Sequence, residues 1–181
     1  MRNRNQVLRQ VGFSIMELVM VMAIAGILVA IVVPSFKTAI QSAATTREIN
    51  AFVGDLGFAR AEAIKEGVPM TMCASTNGTT CSGANNWQTG WIIYPNPGLT
   101  SKTIVPLRKQ GAFTSTDTFK ADNANTFAIN FSIEGFTMSL LANPVTFILQ
   151  TAPVTASLTK CVAINIAGRH VNQKSGTGNC P

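Results

Sequence analysis

The sequence predicts an α+β chain: a long N-terminal helix, membrane-spanning in its first half and amphipathic in its second, packed on a C-terminal antiparallel β domain. Three observations carry this. Phe13 to Val33 is an apolar run whose one charge is Glu17. Beyond it Ile49, Phe52, Val53, Leu56, Ala59, Ala63 and Ile64 recur at helical spacing. From Val68 onward the pattern changes to period two, punctuated by Gly, Asn and Pro. Of the 181 residues 46% are hydrophobic and 12% charged, a charged share about half the usual. Collagen, coiled coil and disorder are excluded by ordinary Gly and Pro counts and the lack of a repeat.

Residues 1–12 form a basic stub. Arg2, Arg4 and Arg9 precede the first acid, Glu17. Residues 13–34 come next as a helix whose 21-residue apolar core would be about 32 Å long, enough for a hydrocarbon layer of about 30 Å. An ordinary signal peptide has a shorter apolar region. Ala23-Ile24-Ala25 imitates its cleavage site but lies mid-run. The arginines predict a cytoplasmic N-terminus, with everything after about Pro34 outside. Glu17 within this run costs about 2.5–3.5 kcal/mol on insertion scales. Snorkelling to the near interface is one resolution. The other is a buried cation: cleavage between Gly12 and Phe13 would create an α-amino group about one turn from the acid.

Gly26 and Pro34 are the expected weak points, since glycine costs about 1 kcal/mol relative to alanine and proline lacks an N–H. Residues 35–66 continue the helix, with Arg47, Glu48, Asp55, Glu62, Lys65 and Glu66 mostly off the apolar side and Gly67 and Pro69 as stop signals. Residues 67–181 form the β domain. Expected strands are Pro69–Cys73, Gly90–Tyr94, Thr103–Lys109, Thr126–Ile133, Phe136–Leu140, Val145–Thr151 and Lys160–Ile166. The clearest hairpin alternates Phe127, Ile129, Phe131 and Ile133, turns at Glu134-Gly135, and returns through Phe136 and Met138. Residues 168–178 are expected to be a polar, mobile tail.

Four cysteines allow three pairings. On the oxidising side of a membrane bridges are the default. Cys73–Cys81 would close a short loop, and Cys161–Cys180 would tie down the tail. No metal site is expected, because no Cys-x-x-Cys exists and His170 is the one histidine. No nucleophile or phosphate-loop motif supports an enzyme, a cofactor or a small-molecule substrate. From Gly67 onward seven cations face three acids, and the last 26 residues hold Lys160, Arg169 and Lys174 with no acid. With His170 these are candidate contacts for double-stranded DNA, weak singly and stronger in several copies. A solvated basic surface is the alternative.

Gly12-Phe13-Ser14-Ile15-Met16-Glu17, behind a short basic leader and before an apolar run, resembles the processing site of type IV prepilins and type II secretion pseudopilins. The resemblance implies that prepilin peptidase removes residues 1–12 and methylates Phe13. It also implies that Glu17 docks the subunit among other pilins, and that the Gly26–Pro34 stretch can extend in the filament. Met16 stands where such chains commonly carry isoleucine.

The second half resembles the GspH/FimT family of minor pilins and pseudopilins. The residues that carry this are Ala59-Arg60-Ala61-Glu62-Ala63-Ile64, Gly67-Val68-Pro69, Trp87, Gly90-Trp91, Asn130-Phe131, Gly135 and Gly168-Arg169. A pilin-like fold is implied, as is a role in priming or tipping a filament from the bacterial inner membrane. Some FimT-like pilins take up DNA through Gly-Arg-x-Arg. Here Gly168-Arg169-His170-Val171 lacks the second arginine, and Lys174 is the next cation. The leading expectation is a type IV minor pilin. The alternatives are an H-type pseudopilin of type II secretion, a DNA receptor for transformation, and a secreted β protein with an ordinary signal peptide.

Overall fold

The structure, a computed structural model, describes residues 12–99, 104–138 and 144–181. The 1–11 stub and the ends of two expected strands, at Thr103 and at 139–140, lie outside these residues. The chain divides into two compact units after Ile40.

Helix α1 runs Ile15–Glu66. Ser14 begins it: its Oγ accepts from the Met16 N–H at 3.3 Å, and its carbonyl accepts from Glu17 and Leu18. Gly67, at φ +62°, ends it in the left-handed conformation a helix C-terminus favours. Helix α1 is continuous across Gly26 and Pro34, the two expected weak points. Proline removes one backbone bond, and intact turns on either side hold the helical register.

In the first unit the large side chains of α1 from Ile15 to Ile40 are exposed. Among the described residues one helix, α1, is long and apolar enough to cross a membrane, and its most apolar segment is exposed.

Among the described residues of the second unit nine short strands form two sheets. The first contains β1 (Met70–Ala74), β2 (Trp91–Pro95), β3 (Arg108–Gln110), β5 (Ala128–Phe131) and β6 (Thr137–Met138), in order β3-β2-β1-β5-β6. The second contains β4 (Thr118–Ala121), β7 (Val145–Gln150), β8 (Lys160–Ile164) and β9 (His170–Lys174), in order β4-β7-β8-β9. Every pairing is antiparallel.

The amphipathic half of α1 supplies the core's centre. Ile49, Phe52, Leu56, Ala59 and Ala63 are buried in one cluster with Met72, Trp91 and Ile129 of the first sheet and Phe119, Phe147 and Val162 of the second. Phe52 has ring centroids of Phe119, Phe147, Trp91 and Trp87 at 4.7, 4.8, 5.4 and 5.6 Å. The contacts with Phe119, Trp91 and Trp87 are edge-on, a geometry that adds to the area buried.

Several expectations are corrected. Glu48 and Asp55, expected on the polar side, are buried, while Ile64, expected inside, is 53% exposed. The strand expected at Thr103–Lys109 is confined to Arg108–Gln110, since Pro106 offers no N–H to a ladder. The Thr126–Ile133 strand covers Ala128–Phe131, so Ile129 and Phe131 are buried while Phe127 and Ile133 are exposed. Strands β4 and β9 were not expected. The tail is not a loose loop: all five residues of β9 pair with β8, and Cys161–Cys180 fastens the C-terminal residues beyond β9.

Candidate functional site

The N-terminal candidates lie where α1 begins. Gly12 and Phe13 are exposed, and Glu17 sits in the first turn. Among the described residues no cation is paired with Glu17. Gly26 and Pro34 are interior to the helix. The residues present therefore leave one carboxylate without a counter-charge on an apolar surface.

The cysteines form Cys73–Cys81, closing the Asn77-Gly78 turn, and Cys161–Cys180. Within the first loop Asn77 Oδ1 accepts from the Thr79 and Thr80 N–H groups at 2.9 Å. No cluster of metal-ligating side chains occurs among the described residues.

The basic candidates are divided by the β8–β9 register. Lys160 lies opposite Lys174, and Ile164 opposite His170. Side chains alternate along a strand, so Lys160, Lys174 and His170 share the face that carries Val162 and Ile164 into the core. Arg169, in the turn before β9, borders a hollow with Ala163 and Val171 of the other face. The four residues are not one patch.

Two groups escaped the sequence reading. Asp55 accepts from Trp91 Nε1–H at 2.7 Å and from Arg108 at 2.9 Å, and the Arg108 guanidinium also lies 4.4 Å from the Phe58 ring centre. Asp55 recurs at i+3 from Phe52, and that spacing was the available signal. Glu48 accepts from Ser115 Oγ at 3.2 Å, but its Oε2 is buried without a partner. Burial first, then the Asp117 charge, raise its carboxyl above the ordinary range, against weaker lowering by Ser115 and Arg47.

The motif residues Arg60, Gly135 and Gly168 converge at one junction. A Cβ on Gly135 would stand 2.8 Å from Ile64 Cδ1 and 3.0 Å from Arg60 Nε, and one on Gly168 would collide with the Gly135 carbonyl. Both glycines have positive φ. Beside them Thr137 bonds across to the β8–β9 turn, donating its N–H to Ile166 O and its hydroxyl to Asn165 O, both at 2.9 Å. This junction joins the sheets at the end of α1.

A family model described as Type II transport protein GspH matches residues 48–168. Two crystal structures of the Pseudomonas aeruginosa (strain PAO1) type IV minor pilin FimU are similar. In space group P21 it is 23% identical, with 76% of this chain and 92% of that chain covered and a TM-score of 0.56. In space group P65 the values are 25%, 71%, 90% and 0.53. No match is found among curated protein sequences. The family model covers more than half of the chain, and the chain belongs to the GspH family of minor pilins and pseudopilins.

Proposed function

We propose that the chain is a minor pilin of a type IV pilus. Prepilin peptidase would cut after Gly12 and methylate Phe13, and the subunit would join a priming or tip complex with other pilins. The observation that carries this is the uncovered first half of α1. Phe13 is 79% and Ile15 83% exposed, and apolar side chains surround that segment on all faces. Each large side chain left in water forgoes about 1.5–3 kcal/mol. Lipid covers this surface first, and neighbouring pilin helices cover it in the filament. In both places Glu17 needs a counter-charge, and the new Phe13 amine lies one turn away. The three leader arginines favour a cytoplasmic N-terminus and a β domain outside the inner membrane.

The test is Glu17→Ala. The variant is expected to insert in the membrane but to be depleted from sheared pili; normal incorporation counts against the docking role. The family description favours a second reading, an H-type pseudopilin of a type II secretion system. Recovery of the mature chain with secretion components, and not with pili, would decide for it. A DNA-receptor role for transformation would centre on Arg169, which is exposed. A gel shift unchanged by Arg169→Ala would remove that role.

A further inference from the structure

β8 and β9 set Lys160 directly opposite Lys174. Like charges facing each other across an antiparallel pair are destabilising. A lysine on an edge strand guards against pairing with another chain, which accounts for Lys174 on β9. Lys160 has no such account, because β8 is interior, between β7 and β9. Neither lysine has an ion-pair partner among the described residues, and no acid occurs after Glu134 in the sequence.

The pair borders two hollows. One, of about 250 Å³, is walled by Ile49 and Asn50 of α1 and by Asn172 of β9. The other, of about 320 Å³, is bordered by Ser157 and Ser175. Asn50, Asn172 and Ser157 line these hollows, are exposed, and make no side-chain hydrogen bond among the described residues.

We propose that Lys160 and Lys174 together hold a dianionic phosphate, either inorganic phosphate or the phosphomonoester of a lipid headgroup. Cross-strand Cβ atoms stand about 4.5–5.5 Å apart, so two flexible ammonium groups can close on one anion. Lysine binds phosphate as a point charge. Two cations match the charge a monoester carries above its second pKa of about 6. A phosphodiester or a carboxylate carries one charge and leaves one lysine uncompensated. Arg169 takes no part, being on the other face. The site is therefore distinct from any DNA contact at Arg169 and does not depend on the pilus assignment.

The test uses the full ¹⁵N-labelled chain in neutral detergent micelles at low ionic strength. It is titrated with inorganic phosphate, with soluble short-chain phosphatidic acid, and with dimethyl phosphate as the monoanionic control. Amide resonances of Asn172, Gln173 and Lys174 are expected to shift saturably with the first two ligands. Affinity should rise with pH through the second phosphate ionisation, and dimethyl phosphate should bind far more weakly. Tighter binding of phosphatidic acid identifies the headgroup as the source, and equal or tighter binding of phosphate identifies the free ion. Lys160→Gln and Lys174→Gln should each weaken binding about tenfold, the loss of one charge-assisted bond, while Arg169→Gln leaves it unchanged. Unfolding midpoints of the lysine variants should equal or exceed the parent's, since a repulsion is removed. No saturable shift, equal affinity for dimethyl phosphate, or an equal loss in Arg169→Gln overturns the proposal.

Discussion

Replacing Asp55 with alanine should destabilise the β domain by about 2–4 kcal/mol. Asp55 is 8% exposed, and its carboxylate receives the Trp91 indole N–H at 2.7 Å. A hydrogen bond to a charged acceptor contributes about 1.5–3 kcal/mol, and a buried donor left without an acceptor costs about 1–3 kcal/mol. These overlap, because both describe the same Trp91 bond. The Arg108 ion pair adds little, about 0–1 kcal/mol, since the arginine side chain is 48% exposed and water screens it. Asp55→Asn keeps an acceptor oxygen and should lose about half as much. For a unit of this size the alanine loss corresponds to about 5–15 °C in unfolding temperature. The assay is urea unfolding of the full chain in micelles, monitored by tryptophan fluorescence; Trp87 and Trp91 are both fully buried and report directly. An alanine variant within about 0.5 kcal/mol of the parent would refute the reasoning. So would an asparagine variant as damaged as the alanine one.

Phe52→Ala should cost about 3–5 kcal/mol, measured by the same unfolding curve, because four rings lose their common partner. Gly168→Ala should destabilise the sheet junction, since a Cβ at φ +69° meets the Gly135 backbone; hydrogen exchange at Thr137 should quicken. Cys161→Ser with Cys180→Ser should lower stability by about 3 kcal/mol and loosen β9 first, seen as lost amide protection at Asn172 and Gln173. Glu48 gives a pH dependence. Its folded carboxyl is raised, so the stabilisation from protonating it is complete below the unfolded value near 4.5 and is lost as pH rises through the folded value. Glu48→Gln should therefore be more stable than the parent at neutral pH, and the difference should vanish in acid.

The helix was legible because its pattern is long: an apolar run and then five buried positions at helical spacing leave little choice of face. The central strands were legible too: Ala128–Phe131 alternates, and Met70–Ala74 and Trp91–Pro95 are short, largely apolar runs bounded by turn residues. β4 and β9 were not. Thr118–Ala121 alternates over four residues, too few to stand out. His170–Lys174 is polar, and its order comes from pairing with β8 and from a disulfide to a distant cysteine. The polar helix residues misled for a different reason. Asp55 and Glu48 read as solvent-facing because charge is costly to bury, and Asp55 is buried because Trp91 and Arg108, far along the chain, satisfy it. The basic residues were grouped by nearness in sequence, whereas strand alternation puts both lysines on one face and the turn before β9 sets Arg169 beside residues of the other.

Mass spectrometry of the mature N-terminus, on protein extracted from its native membrane, tests the central claim most directly. On the proposed reading Glu17 acquires its counter-charge when the chain begins at Phe13, so the predicted species starts with N-methylated Phe13 and lacks residues 1–12. A functioning chain that keeps Arg2, Arg4 and Arg9, or one that starts near Gly26, would contradict the account.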